Sequence, residues 1–231
     1  MAQHLANEID KLKGLMSEMC LLVEENTKNA VMSVIDNDKD LAQKVIDFDR
    51  KIDRKEIALE EECLKILALY QPVAIDLRYV IACLKMNNEL ERIGDLSANI
   101  AKSAITICDL TGERKFEHDR LRSMMEKTLD MVKRTLDALF NMDEALAIEV
   151  CRSDDAVDDL NKEIHESVAR RIQEKPEETE LLLRILSVSR LLERIADLAT
   201  NIAEDILYMA TGKILRHEGA VLSFSEKEDV R

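Results

Sequence analysis

The sequence predicts an all-α protein built as a tandem duplication of two antiparallel three-helix bundles. Three observations point there. Apolar residues recur at three- and four-residue steps almost throughout the 231 residues, the period of helices with one buried face. Two Pro, five Gly and no Trp are too few turn residues for a loop-rich β fold. Residues 91–101 read ERIGDLSANIA and residues 193–203 read ERIADLATNIA, identical at eight of eleven positions at an offset of 102. A repeat of that period is a duplicated supersecondary unit.

Six helices account for the chain. The first covers about 2–35 and ends at Asp36-Asn37-Asp38. The second runs from there to about Tyr70, where Pro72 punctuates, because proline fits the first turn of a helix but not its interior. The third covers about 73–110 and stops at Thr111-Gly112, with Gly suited to a helix C-terminus. The second half repeats the plan. A fourth helix covers about 115–140, and a fifth follows Asn141-Met142-Asp143 with Asp143 as candidate cap. Pro176 marks the next turn, and a sixth helix covers about 177–211, ending at Thr211-Gly212. The expected units are residues 1–111, residues 115–212 and a polar, mobile tail over 213–231. Short connections make sequential helices antiparallel. A continuous six-helix bundle is the alternative.

The net charge of −14 argues against nucleic acid or anionic lipid as direct partners and favours cations or basic protein surfaces. Five widely spread cysteines (20, 63, 83, 108 and 151) without a CxxC argue against a disulfide framework or a thiolate zinc site. No run of 18 apolar residues is free of charge, so no transmembrane helix is expected. No basic head followed by an apolar run marks a signal peptide, and the cytoplasm is the expected compartment.

The repeated segment carries oxygen donors at four-residue steps: Glu91, Asp95, Asn99 and Glu193, Asp197, Asn201. Acids four apart arise often by chance in so acidic a chain, and most are solvated faces; repetition in register is the stronger signal. At 100° per residue, Glu91, Asp95 and Asn99 span about 80°, while Leu90, Ile93, Leu96 and Ile100 lie beyond, at about 140–260°. A ligand would therefore sit on the bundle surface. In the second helix Asp49, Asp53, Glu56 and Glu60 form one stripe within about 40°. Ile46, Ile57 and Leu64 flank one edge, and Ile52, Leu59 and Cys63 the other. The fifth helix matches at an offset of 105 with Asp154, Asp158, Asn161 and His165.

Acids beside an apolar seam are costly unless paired or metal-bound, so the acids of paired helices are expected to converge. Hard oxygen ligands with few nitrogens suit Fe, Mn, Mg or Ca better than Cu or structural Zn. The competing expectation is a salt-bridge ladder using Arg50, Arg78, Arg92 and Arg194. No His has Glu three residues before it, which argues against a ferritin-like di-iron enzyme. No Gly-rich phosphate loop, GxSxG or HExxH is present. Met124, Met125 and Met131 read as core filler or, alternatively, a partner groove.

Several segments together resemble the PhoU family of bacterial phosphate-uptake regulators. They are Ile52-Asp53 with Glu56, QPVAIDLRYV at 71–80, LERIGD at 90–95, LERIAD at 192–197 and ILYMATGKILRH at 206–217. The resemblance implies a fold of two similar three-helix bundles and paired E(D)xxxD motifs able to hold metal clusters on the bundle surface. Carried over, these are Asp49/Asp53 with Glu91/Asp95, and Asp154/Asp158 with Glu193/Asp197. Two positions depart from the repeat. Asn161 and His165 replace the acids Glu56 and Glu60, which implies a weaker second site or one selecting another metal. Ala196 replaces Gly94, a packing difference.

The resemblance further implies a non-enzymatic cytoplasmic brake on phosphate uptake and on the phosphate-starvation response. It would act as an adaptor on the phosphate-specific ABC transporter ATPase and a membrane sensor histidine kinase, meeting the membrane only through these partners. A homodimer is also implied, although no dimer seam is visible in the periodicity. A metal-dependent carboxylate-cluster enzyme and a purely structural helical scaffold are the alternatives.

Overall fold

The computed structural model describes residues 2–112 and 118–212. It contains helices α1 (Ala2–Ile35), α2 (Lys39–Tyr70), α3 (Ala74–Thr111), α4 (Asp119–Asn141), α5 (Glu144–Glu174) and α6 (Thr179–Thr211), with a single 3-10 turn at Pro176–Glu178. No strand occurs among the described residues. The expected start of the fourth helix before residue 118 and the tail 213–231 lie outside them.

Local chemistry sets the helix ends. Asp38 accepts a hydrogen bond from the Leu41 N–H at 2.9 Å, and Asp143 from the Leu146 N–H at 3.0 Å. Each side chain satisfies an amide that the first turn leaves without an intrahelical partner. At α4 the cap is His118, whose Nδ1 accepts from the Leu121 N–H at 3.2 Å; nothing in the residue type signals that role. Gly112 and Gly212 close α3 and α6 at positive φ, which costs glycine no steric strain. The α2–α3 turn uses no glycine: Gln71 (φ 47°) and Ala74 (φ 50°) both adopt the left-handed region.

α1, α2 and α3 pack together, as do α4, α5 and α6. The ion pairs Lys11–Glu62 and Lys55–Glu18 fix α1 and α2 antiparallel, and Arg120–Glu163 and Arg134–Glu149 do the same for α4 and α5. The duplication extends to burial. Leu121, Met124, Met125, Thr128, Met131 and Val132 of α4 are buried at the positions of Met16, Met19, Cys20, Val23, Asn26 and Thr27 of α1, 105 residues earlier. Met124, Met125 and Met131 are thus core, at most 1% exposed, and line no groove.

α3 and α6 each serve their own three helices and also pack antiparallel on one another. Lys85 Nζ meets Asp205 Oδ1 at 3.1 Å and lies 5.1 Å over the Tyr208 ring. The Arg78 guanidinium occupies the space beside Gly212 that a Cβ would fill. One continuous apolar core therefore runs through both halves. The acid stripes lie on the outer flank of this core.

Candidate metal-binding acid stripes

In the first half the stripe of α2 meets that of α3. Leu90, Ile93, Leu96 and Ile100 are buried, which turns Glu91 and Asp95 outward along the edge facing α2. Gly94 lets the helices approach: a Cβ there would lie 3.0 and 3.1 Å from Ile52 Cδ1 and Cγ2, and 3.5 Å from Asp49 Oδ1. Asp49 Oδ1 is fully buried and has no hydrogen-bond partner. An orphaned anionic oxygen in that setting is costly.

The carboxylates of the two stripes feel one another's charge. Burial pushes the Asp49 carboxyl up to about 6, helped by repulsion from Asp53 and Asp95 and opposed by Lys102. Glu91 is raised by burial and then by Asp95, Glu56, Asp53 and Asp49. Glu56 is raised by burial and then by Glu60 and Asp53. Like charges that raise one another's proton affinity also raise affinity for a cation. The Asn87 side chain donates to the Glu56 backbone carbonyl at 3.0 Å. Asn99 lies at the far end, where its Oδ1 accepts from Lys102 at 3.0 Å.

The second half brings together fewer acids. Glu193 is raised by burial, then by Asp197 and Asp158, while Arg190 and Arg194 oppose the rise. Asp197 is raised by burial and by Asp158. Asn161 is held by the Ser189 hydroxyl, which donates to its Oδ1 at 2.9 Å. This repeats the Asn87–Glu56 tie, but here it engages the side chain expected to act as a ligand. His165 is half-buried one turn further along α5. Asn201 lies near the Glu89 side chain of α3, where it opposes the rise in that carboxyl's pKa, and so stands at the α3–α6 seam. Asp154 sits beside Cys151, whose thiol is pushed up to about 12 by burial and then by Glu204 and Asp154. Glu204 stands where the first half has Lys102, so the end of the stripe is cationic in one copy and anionic in the other.

Two sequence expectations require correction. Ile57 and Leu64 do not flank a buried seam; they are 53% and 52% exposed, because α1 and α3 cover only the Ile52–Leu59–Cys63 edge of α2. Nor, among the described residues, do Arg78 and Arg92 build an arginine ladder along the first stripe. Arg92 pairs with Glu89 at 3.5 Å and Arg78 packs at Gly212. Among the described residues Asp49, Asp53, Glu91, Asp95, Asp158, Glu193 and Asp197 form no ion pair within 4 Å. Nor do three His, Cys, Asp or Glu side chains close on one point among those residues.

The donors fit a hard cation in the first half: they are all oxygen, mutually repelling and without arginine partners, and one oxygen is buried and orphaned. At the equivalent positions the second half carries Ala196 and Val157 in place of Gly94 and Ile52. Where one helix gains a methyl, its neighbour loses one.

Residues 16–104 and 121–206 each match the family model described as PhoU domain. A Thermotoga maritima protein named phosphate-specific transport system accessory protein PhoU homolog 1 is 36% identical over 92% of this chain and 91% of its own length. A Pseudomonas aeruginosa protein named phosphate-specific transport system accessory protein PhoU homolog is 35% identical over 100% and 95%. The crystal structure of PhoU from Pseudomonas aeruginosa superposes with a TM-score of 0.86, covering 90% of this chain and 99% of that one at 36% identity. The phosphate transport system regulatory protein PhoU from Streptococcus pneumoniae gives 0.83 over 92% and 100%, at 27% identity. None of these names describes an enzyme. With both halves matched, the chain belongs to the PhoU family.

Proposed function

We propose that this chain regulates phosphate uptake as a non-enzymatic accessory of a phosphate-specific transporter. The observation that carries the reading is similarity over nearly the full length of relatives named for that role. The finer reading is a cytoplasmic adaptor that brakes uptake and the phosphate-starvation response. It binds the transporter ATPase and a sensor histidine kinase, favouring one state of each partner over another. No helix among the described residues is long and apolar enough to cross a membrane, which suits attachment through partners.

The acid stripes are proposed metal sites. Asp49, Asp53, Glu91 and Asp95, with Glu56 at hand, would hold a hard cation such as Fe, Mn, Mg or Ca in the first half. Asp154, Asp158, Glu193 and Asp197 would do so in the second. A bound cation would supply charge neutralisation and draw α2 toward α3, stiffening the face offered to a partner. The orphaned Asp49 oxygen supports the first site. Asn161, held by Ser189, supports a different and weaker second site.

The test is genetic and biochemical. Deleting the gene is expected to leave uptake of labelled phosphate unrestrained in phosphate-replete cells. Untagged protein is expected to co-purify with the transporter ATPase. Uptake unchanged by the deletion, with no ATPase recovered, would overturn the reading.

A further inference from the structure

On the side of α2 away from the acids lies a groove of about 510 Å³, lined by Glu18, Leu21 and Leu22 of α1 and Lys51, Arg54 and Lys55 of α2. Taking Asp49 as zero, these cations fall at about 140–240° around the helix, opposite the acid stripe. Leu21 is 61% exposed on the floor. Lys55 is engaged by Glu18. Lys51 Nζ lies 4.5 Å over the Phe48 ring, and Arg54 Nε donates to the Arg50 carbonyl at 3.0 Å. Neither Lys51 nor Arg54 forms an ion pair within 4 Å among the described residues. A cation-rimmed apolar groove is out of keeping with a chain of net charge −14.

The duplication supplies an internal control. The core positions of α1 and α4, and of α2 and α5, correspond at an offset of 105. At that offset Leu21 and Leu22 become Glu126 and Lys127, and Lys51, Arg54 and Lys55 become Ala156, Asp159 and Leu160. The second half packs the same core without an apolar floor or a cationic rim at this place. The architecture therefore does not require either one.

The geometry points to a docking site in the first half for an amphipathic helix of a partner protein, its apolar stripe flanked by Glu or Asp. Leu21 and Leu22 would meet the stripe between two long helices, the helix-in-groove mode of recognition. Lys51 and Arg54 would meet the flanking carboxylates, giving charge complementarity that selects an acidic partner. The inference concerns this surface and holds whichever proteins carry the partner helix.

The probe is a labelled model helix of about 18 residues with a Leu stripe flanked by Glu, beside a twin flanked by Lys. Fluorescence anisotropy with the full chain is expected to detect the Glu helix and not its Lys twin, with binding that weakens as salt rises. Lys51→Ala with Arg54→Asp, and separately Leu21→Glu, are expected to weaken it about tenfold or more. These exposed changes copy the second half and are expected to leave the circular dichroism melt unchanged; Lys51→Ala alone serves if the pair perturbs folding. No binding up to about 200 µM, equal binding of both helices, or indifference to the substitutions overturns the proposal. So does a chain dimer in light scattering that Lys51→Ala/Arg54→Asp dissolves, because the occupant would then be a second copy.

Discussion

Replacing Gly94 with Ala tests how closely α2 and α3 meet at the first acid stripe. The added Cβ would sit 3.0 Å from Ile52 Cδ1 and 3.1 Å from Cγ2. Both atoms belong to a fully buried side chain, so the neighbour has little room to yield. Overpacking of this kind costs about 1–3 kcal/mol. Exchanging Gly for Ala inside a helix returns about 1 kcal/mol of propensity, so Gly94→Ala is expected to destabilise by roughly 0–2 kcal/mol net. Ile52→Val alone removes the Cδ1 methyl and should cost about 0.5–1.5 kcal/mol. Together the two changes recreate the Ala196/Val157 pair of the second half; the contact at 3.0 Å disappears and that with Cγ2 at 3.1 Å remains. The double variant should therefore be more stable than the sum of the singles by about 1–2 kcal/mol. A urea-denaturation double-mutant cycle, with all four proteins measured in the same chelator-containing buffer, reads this coupling. Additive behaviour, or a Gly94→Ala protein more stable than its parent, would refute the claim that this contact limits the approach of the helices.

Other outcomes follow from the charges. Asp49 titrates near 6 when folded, above the ordinary carboxylate value, so its contribution is present below the unfolded pKa and is lost as pH rises through about 6. Without metal, Asp49 is expected to contribute a fall in stability of about 1 kcal/mol between pH 4 and 7 after discounting for solvent screening; Asp49→Asn should reduce the slope by that amount in calorimetric melts. Asp49→Asn with Asp95→Asn is expected to lower the metal content of untagged protein by elemental analysis, with unchanged helicity by circular dichroism. Lys102→Glu, which copies Glu204, should tighten Mn²⁺ binding several-fold in titration calorimetry by adding a carboxylate to the first stripe. His118→Ala should cost about 1 kcal/mol through loss of the α4 cap, and His118→Asn much less. Burial and then Arg171 lower the His118 pKa, so its stabilisation is present above the ordinary histidine value and is lost as pH falls through the lower folded value.

Much of the molecule was legible in the chain because the relevant signals are local. Helix period, Asp143 as a cap, Pro72 and Pro176 as punctuation, and the repeated ERI-x-DL segment all act within a few residues. The outward placement of Glu91 and Asp95 followed from the apolar wheel alone. What was misread depended on neighbours. Asp49 and its partners lie between two apolar edges, and a wheel treats both edges alike. Packing covered Ile52 and Leu59 and left Ile57 and Leu64 in solvent. The Arg78 and Arg92 side chains had acids close in sequence, but their geometry directed them to Gly212 and Glu89.

By itself the sequence determined six helices, their duplication and two acid-bearing surfaces, since each is written in residue type and spacing. Only the tertiary structure decided how the copies diverge. Ser189 engages Asn161, Asn201 lies across the seam beside Glu89, and Lys51 and Arg54 border a groove whose equivalent positions in the second half carry Ala156 and Asp159. The physical reason is that a side chain's partner is set by which helix arrives opposite it, and that depends on residues far away in the chain.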